Sequence, residues 1–189
     1  EGGDGTSYVG GGGGGGRIAV YFTTRTFTGT VSASGGARTN NGAAGTIYLK
    51  PSSANADIII DNADRAGSSN NTVINSSFLA ADTVLNSLNI SGKANVTINS
   101  TYNATDVNIS GSSTEVTLAA GGKINATNFN LQSSASMTIN GNLTATNLNL
   151  QSSASMTING NLTATSAFTT ETTTTIKNTG TITFPSAQL

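Results

Sequence analysis

From residue 87 onward, apolar residues recur at alternate positions in short bursts. Leu88/Ile90, Val107/Ile109, Phe129/Leu131 and Leu148/Leu150 form one set. Val96/Ile98, Val116/Leu118, Met137/Ile139 and Met156/Ile158 form a second. Tyr102/Ala104, Ile124/Ala126, Leu143/Ala145 and Leu162/Ala164 form a third. A period of two is the mark of a strand buried on one face. Small and amide residues (Ser91-Gly92, Ser133-Ser134, Asn140-Gly141) separate the bursts, as turns require.

The bursts return at a fixed interval. Residues 128–146 read NFNLQSSASMTINGNLTAT and residues 147–165 read NLNLQSSASMTINGNLTAT, differing only at Phe129 against Leu148. Residues 87–105 form an earlier copy of 19 residues, and 106–127 a copy of 22 with a short insertion. Residues 166–184 are a degraded fifth copy, and 66–86 an irregular one. Three bursts per repeat of about 19 residues predict an all-β chain folded as a parallel β-helix (β-solenoid), with three short strands per coil. The predicted core is Leu88, Ile90, Val96, Ile98, Val107, Ile109, Val116, Leu118, Phe129, Leu131, Met137, Ile139, Leu143, Leu148, Leu150, Met156, Ile158 and Leu162. A single coil buries too little to offset its own ordering, so the coils must stack.

The first part of the chain reads differently. Strands are predicted at 17–22, 28–33, 46–50 and 57–61, with glycine clusters at tight turns between them. The expected organisation is residues 1–65 as glycine-rich, irregular first coils and 66–189 as the repeat solenoid. The competing reading of 9–16 is a flexible glycine linker.

Outward positions form rows of their own. Asn89, Asn108, Asn130 and Asn149 lie between inward pairs. They are either solvated spacers or a ladder of stacked amides. Asn103/Thr105, Asn125/Thr127, Thr144/Thr146 and Thr163/Thr165 form a hydroxyl-rich face that resembles the Thr-x-Thr face of ice-binding β-solenoids. Thr is also simply a good outward strand residue.

Composition narrows the chemistry. The 189 residues include 31 Thr, 23 Ser and 23 Asn, which oppose helix, and a net charge of −1, which opposes charge-driven disorder. No basic footprint for nucleic acid is present. With no Cys and no His, disulfides, thiolate nucleophiles, imidazole catalysis and Cys/His metal sites fall away. No apolar run is long enough for a membrane helix, so no membrane insertion is expected of this segment. The chain opens on Glu1 rather than Met and shows no signal peptide, so a processed product or a piece of a longer protein is expected.

Candidate sites are few. Gly10–Gly16 before Arg17 lacks the Lys-Ser/Thr ending of a phosphate loop. Asp57, Asp61 and Asp64 are either a Ca²⁺ cluster or solvated turn residues, and the second reading is preferred. The charged residues of the repeats (Lys93, Asp106, Glu115, Lys123, Glu171, Lys177) share no column, and Ile124–Thr170 carries no charge. The expectation is therefore a non-enzyme with no metal and no cofactor. An uncharged wall invites self-association unless glycans or neighbouring subunits cover it. Candidate glycan acceptors are Asn70, Asn75, Asn89, Asn95, Asn99, Asn103, Asn108, Asn125, Asn142 and Asn161, a number little above chance for this composition.

The segments NLNLQSSASMTINGNLTAT and IKNTGTITF (176–184) resemble coils of filamentous-haemagglutinin-type adhesins and related bacterial and archaeal surface proteins. The segments GGGGGGGRIAVYF (10–22), FTGTVSASGGA (27–37) and GAAGTIYLK (42–50) resemble a glycine-rich module of large surface repeat proteins. The first resemblance implies a right-handed, secreted β-helix serving attachment or surface structure. The expected function is an extracellular structural protein: a subunit of a cell-surface filament, sheath or adhesin, assembling by solenoid stacking. Its expected partners are copies of itself, head-to-tail or lateral, and glycans. Open strand edges at the ends motivate the stacking, with Pro185 a candidate blunting residue. The alternatives are a ligand-binding solenoid, for ice or carbohydrate, and a degenerate carbohydrate-active enzyme.

Overall fold

The computed structural model describes residues 1–4, 10–65, 71–75 and 84–185. Among these there is no helix. Fifteen strands follow in order: β1 (Arg17–Phe22), β2 (Thr46–Pro51), β3 (Ala56–Asp61), β4 (Thr72–Ile74), β5 (Val84–Ser91), β6 (Asn95–Ile98), β7 (Thr101–Ser110), β8 (Glu115–Leu118), β9 (Lys123–Gln132), β10 (Ser136–Ile139), β11 (Asn142–Leu150), β12 (Ser155–Ile158), β13 (Asn161–Thr170), β14 (Thr175–Asn178) and β15 (Thr181–Thr183). They form two sheets, of order β1-β2-β3-β5-β7-β9-β11-β13-β15 and β14-β12-β10-β8-β6-β4. The strands of the repeats pair only in parallel, each with its copy one coil away. The chain is a β-solenoid of about five turns.

Each coil contains the three apolar bursts, arranged as one long and one short strand. The third burst of one repeat and the first of the next run on as a single strand, such as β7 with Tyr102, Ala104, Val107 and Ile109 inward. Two consecutive outward residues, Thr105 and Asp106, switch the inward parity between them. The same pair recurs at Thr127-Asn128 and Thr146-Asn147. The strand register is kept across this bend: pairing is skipped at the first of the two outward residues and resumes in step at the second.

The register explains the irregular repeats. Leu88 pairs with Val107, Val96 with Val116 and Tyr102 with Ile124. The 22-residue copy therefore places its extra residues in the turns before and after β8. In the last coil the register slips between Ala145 and Asn147, which pair with Ala164 and Ala167, so Ser166 is an extra residue.

The core is one continuous apolar column. All eighteen residues Leu88 through Leu162 named above are at most 2% exposed. They form one cluster with Ile58 and Ile60 of β3, so the parallel stack begins at β3, before residue 66. A column of small buried residues, Ala94, Thr114, Ala135 and Ala154, escaped the sequence reading. Each sits directly after a turn, and its carbonyl accepts from the next coil, as Ala94 O does from Glu115 N and Thr114 O from Ser136 N.

The N-terminal part departs from expectation. β1 pairs in parallel with β2, but β2 runs antiparallel to β3. These two strands therefore run opposite to the solenoid and are not its first coils. Residues 28–33 form no strand; Val31 and Ala33 instead pack on Ile18, Phe22, Ile47 and Leu49 in a small second core. The glycine run is neither a linker nor a set of turns. Gly12 N and Gly15 N donate to Asn40 O and Ala43 O, while Gly42 N and Gly45 N donate to Gly36 O and Ala33 O. Bonds at every third residue follow the repeat of a polyproline-II-type chain. At the contact positions the packing leaves no room for side chains: a Cβ on Gly15 would lie 1.9 Å from Ala33 O, and one on Gly42 1.9 Å from Gly13 O, while Gly14 and Gly16 face open space.

Candidate functional site

The outer wall of the solenoid is built from ladders of identical side chains. Asn149 Nδ2 donates to Asn130 Oδ1 at 2.9 Å, Asn130 Nδ2 to Asn108 Oδ1 at 2.8 Å, and Asn108 Nδ2 to Asn89 Oδ1 at 2.9 Å. The row of spacers is thus a continuous amide ladder, because parallel in-register strands hold like side chains one strand spacing apart, about 4.8 Å. The ladder continues from Asn89 Nδ2 to Ser87 Oγ, and from Ser87 Oγ to Asp57 Oδ1. The Asn–Asn donors all point toward the earlier coil, and the row ends, through Ser87 on the same strand as Asn89, on a carboxylate that accepts without donating.

The motif is general. Asn147 donates to Asn128, and Asn128 to Asp106, another row ending on a carboxylate. Asn125 donates to Asn103, Asn161 to Asn142, and Asn159 to Asn140.

The aspartates resolve into separate structural roles. Asp57 accepts from Asn86 Nδ2 at 2.8 Å and Ser87 Oγ at 2.6 Å. Asp61 accepts from Ala63 N at 2.7 Å and Ser91 Oγ at 2.5 Å. Asp64 occupies a tight turn with φ 57°. The three do not converge on one point: among the described residues no three His, Cys, Asp or Glu side chains group to hold a metal ion. The charged residues of the repeats likewise fall in separate columns. Asp106 lies in register with Asn128, Glu115 with Asn95 and Ser136, Lys123 with Thr101 and Asn142, and Lys177 with Thr157.

The hydroxyl face is more regular on the short strands than on the stretch singled out from the sequence. Thr97, Thr117, Thr138 and Thr157 stand in register on β6, β8, β10 and β12. The other row, Asn103, Asn125, Thr144, Thr163 and Thr183, mixes two asparagines with three threonines.

The acceptor candidates sort by exposure. Asn99, Asn142 and Asn161 are exposed; Asn75, Asn89, Asn95, Asn103, Asn108 and Asn125 are half-buried. Asn70 lies outside the described residues. At Asn89, Asn108, Asn125 and Asn161 the nitrogen that would carry a sugar already donates within a ladder.

In the last coil the core columns lose their cover. Phe168 stands in register with Leu148, Ile176 with Met156, and Ile182 with Leu162. Ile176 is 38% exposed, and Phe168, Ile182 and Phe184 are half-buried. Phe168 and Phe184 stack at 4.5 Å between ring centroids.

At the other end the glycine-rich segment is latched to the stack. Asn62, only 2% exposed, accepts from Gly35 N at 2.9 Å and donates to Gly42 O at 3.2 Å. Arg65 donates to Ser34 Oγ at 3.1 Å and to Gly35 O, and pairs with Glu1. Tyr102 closes the side of the core there, its hydroxyl donating to Asn75 O at 3.0 Å; burial pushes this phenol up to about 12.

No helix among the described residues is long and apolar enough to cross a membrane. Set against family models, curated proteins and solved structures, the chain finds no match.

Proposed function

We propose that this chain is an extracellular structural protein, a subunit of a cell-surface filament, sheath or adhesin that assembles through its β-solenoid. One observation carries this reading: from Ile124 to Thr170 the wall has no charge, and its polar side chains form ladders with one another. Such a wall gives length and stiffness and brings together no acid, base or nucleophile for chemistry. The core columns of the last coil, with β14 and β15 each paired on one side among the described residues, offer a matching surface to another coil. β1 runs opposite to β15, so a ladder cannot pass in parallel from the last coil of one copy to the first strand of the next. Copies in this reading meet through the last coil or side by side along the uncharged wall. Glycans belong at Asn99 and Asn142, where the side chains are exposed and the amide nitrogen donates to no ladder.

The test is electron microscopy with analytical ultracentrifugation over a concentration series. Fibres or bundles that dissolve on dilution support the reading; discrete monomeric rods at every concentration overturn the assembly.

The in-register Thr97, Thr117, Thr138 and Thr157 favour a second reading, a solenoid that binds a regular surface such as ice or a carbohydrate. Thermal hysteresis, or pull-down on insoluble polysaccharide, lost in Thr117→Lys and Thr138→Lys variants, would move this reading ahead.

A further inference from the structure

β1 is the last strand of the nine-stranded sheet, and among the described residues it pairs only with β2, which leaves its other backbone edge open. Each face of that edge carries a hollow. On one face Val20, Phe22, Phe27, Val31 and Leu49, with Arg25, enclose about 270 Å³. On the other, Tyr21, Phe22, Thr23, Lys50 and Ser52 border about 450 Å³. Side chains of a strand alternate between faces, so a strand added to β1 would present its residues to the two hollows in turn.

The chemistry of the hollows is specific. Among the described residues, three of the six exposed large apolar side chains lie here: Val20 at 37%, Tyr21 at 73% and Phe27 at 57%. An apolar patch on an edge strand costs free energy unless it is covered. Natural edge strands are commonly defended by an inward charge, a proline or a bulge, and β1 contains no proline and pairs without a register break. The charge is one-sided as well. Residues 10–56 contain Arg17, Arg25, Arg38 and Lys50 and no Asp or Glu. Arg25 lies at the apolar hollow and Lys50 beside Tyr21.

We infer that the open edge of β1 is a docking site for an extended acidic peptide segment of a partner protein, which adds to the sheet as a further strand. Main-chain hydrogen bonds to β1 hold it. Its apolar side chains enter the hollow of Val20, Phe22, Phe27 and Leu49, and its alternate carboxylates lie over Tyr21 and Lys50. This site is in the N-terminal module, away from the repeats, and does not depend on how the solenoid assembles.

The probe is a fluorescent, end-blocked peptide, Asp-Val-Asp-Phe-Asp-Val-Asp, titrated with the full chain and followed by anisotropy. Three changes should each weaken binding by about tenfold or more: Lys for Asp in the peptide, N-methylation of alternate peptide amides, and the protein variant Arg25→Glu. Phe27→Ser should do the same. Both variant sites are exposed loop positions, and an unchanged circular dichroism spectrum shows that the fold is intact. Absence of binding at about 1 mM peptide overturns the proposal. Equal binding of the N-methylated peptide overturns strand addition. Displacement by polygalacturonate, together with that equality, makes the patch a general polyanion surface and also overturns it.

Discussion

At the scale of single residues, the ladders depend on amides and not merely on polarity. Asn130 both donates to Asn108 and accepts from Asn149. In Asn130→Asp the carboxylate still accepts but cannot donate, and it faces the Asn108 oxygen. Stability at pH 7 should fall by about 1–3 kcal/mol and partly return below about pH 4, where a protonated acid donates again. Urea titrations at the two pH values measure this. Tyr102 gives the opposite pH window. Its phenol is raised to about 12 by burial, against about 10 in the unfolded chain. The neutral form is favoured on folding, so this stabilisation, on the order of 2–3 kcal/mol, is complete below pH 10 and lost as pH rises toward 12. Tyr102→Phe should flatten the fall in stability between pH 10 and 12, while lowering neutral stability by about 1 kcal/mol through the lost bond to Asn75.

At the scale of elements, the two turns of each coil make opposite demands on the backbone. Ser133 and Ser134 (φ 56° and 60°), and Ser152 and Ser153 (φ 51° and 64°), are left-handed pairs. Each closes a turn through Ala135 N to Gln132 O or Ala154 N to Gln151 O. The left-handed region costs a side-chain-bearing residue about 1–2 kcal/mol. Glycine at Ser134 or Ser153 should therefore stabilise the protein by up to about 1 kcal/mol, net of its greater unfolded-state freedom. The other turn has no positive φ but a close approach: a Cβ on Gly160 would lie 2.2 Å from Gly141 O of the coil before. Gly160→Ala should cost about 2 kcal/mol or more, because the clash is with backbone that cannot yield without breaking its ladder. Thermal denaturation of the two variants should shift in opposite directions.

At the scale of the whole molecule, the chain is a stack whose two ends differ. The glycine-rich segment packs as a backbone bundle against the first coils and is held by Asn62 and Arg65. Asn62 leaves two backbone groups of that segment without partners when truncated. Asn62→Ala should cost about 2–4 kcal/mol locally and free the segment before the repeats unfold. Hydrogen exchange should then show lost protection at 33–45 with protection at 123–170 retained. Equal loss in both regions would mean that the segment and the stack fold as one unit.

The sequence by itself determined the repeat, the burial parity and the uncharged wall. A period of two and a period of 19 are local facts, and a solenoid converts sequence distance directly into stacking distance. The inward residues from Leu88 to Leu162 were legible for that reason, as were the rows at Asn89, Asn108, Asn130 and Asn149. Whether those amides bond to one another or to water was decided only by the in-register stacking of β5, β7, β9 and β11. The same holds for Asp57, whose role came from Ser87, thirty residues away, arriving at its side. The glycine run defeated pattern reading because its contacts are backbone to backbone and leave no side-chain signature. The reversal between β2 and β3, which sets the open edge of β1 against the direction of the stack, likewise belongs to the tertiary structure. No local preference encodes which way a strand runs relative to a partner it has yet to meet.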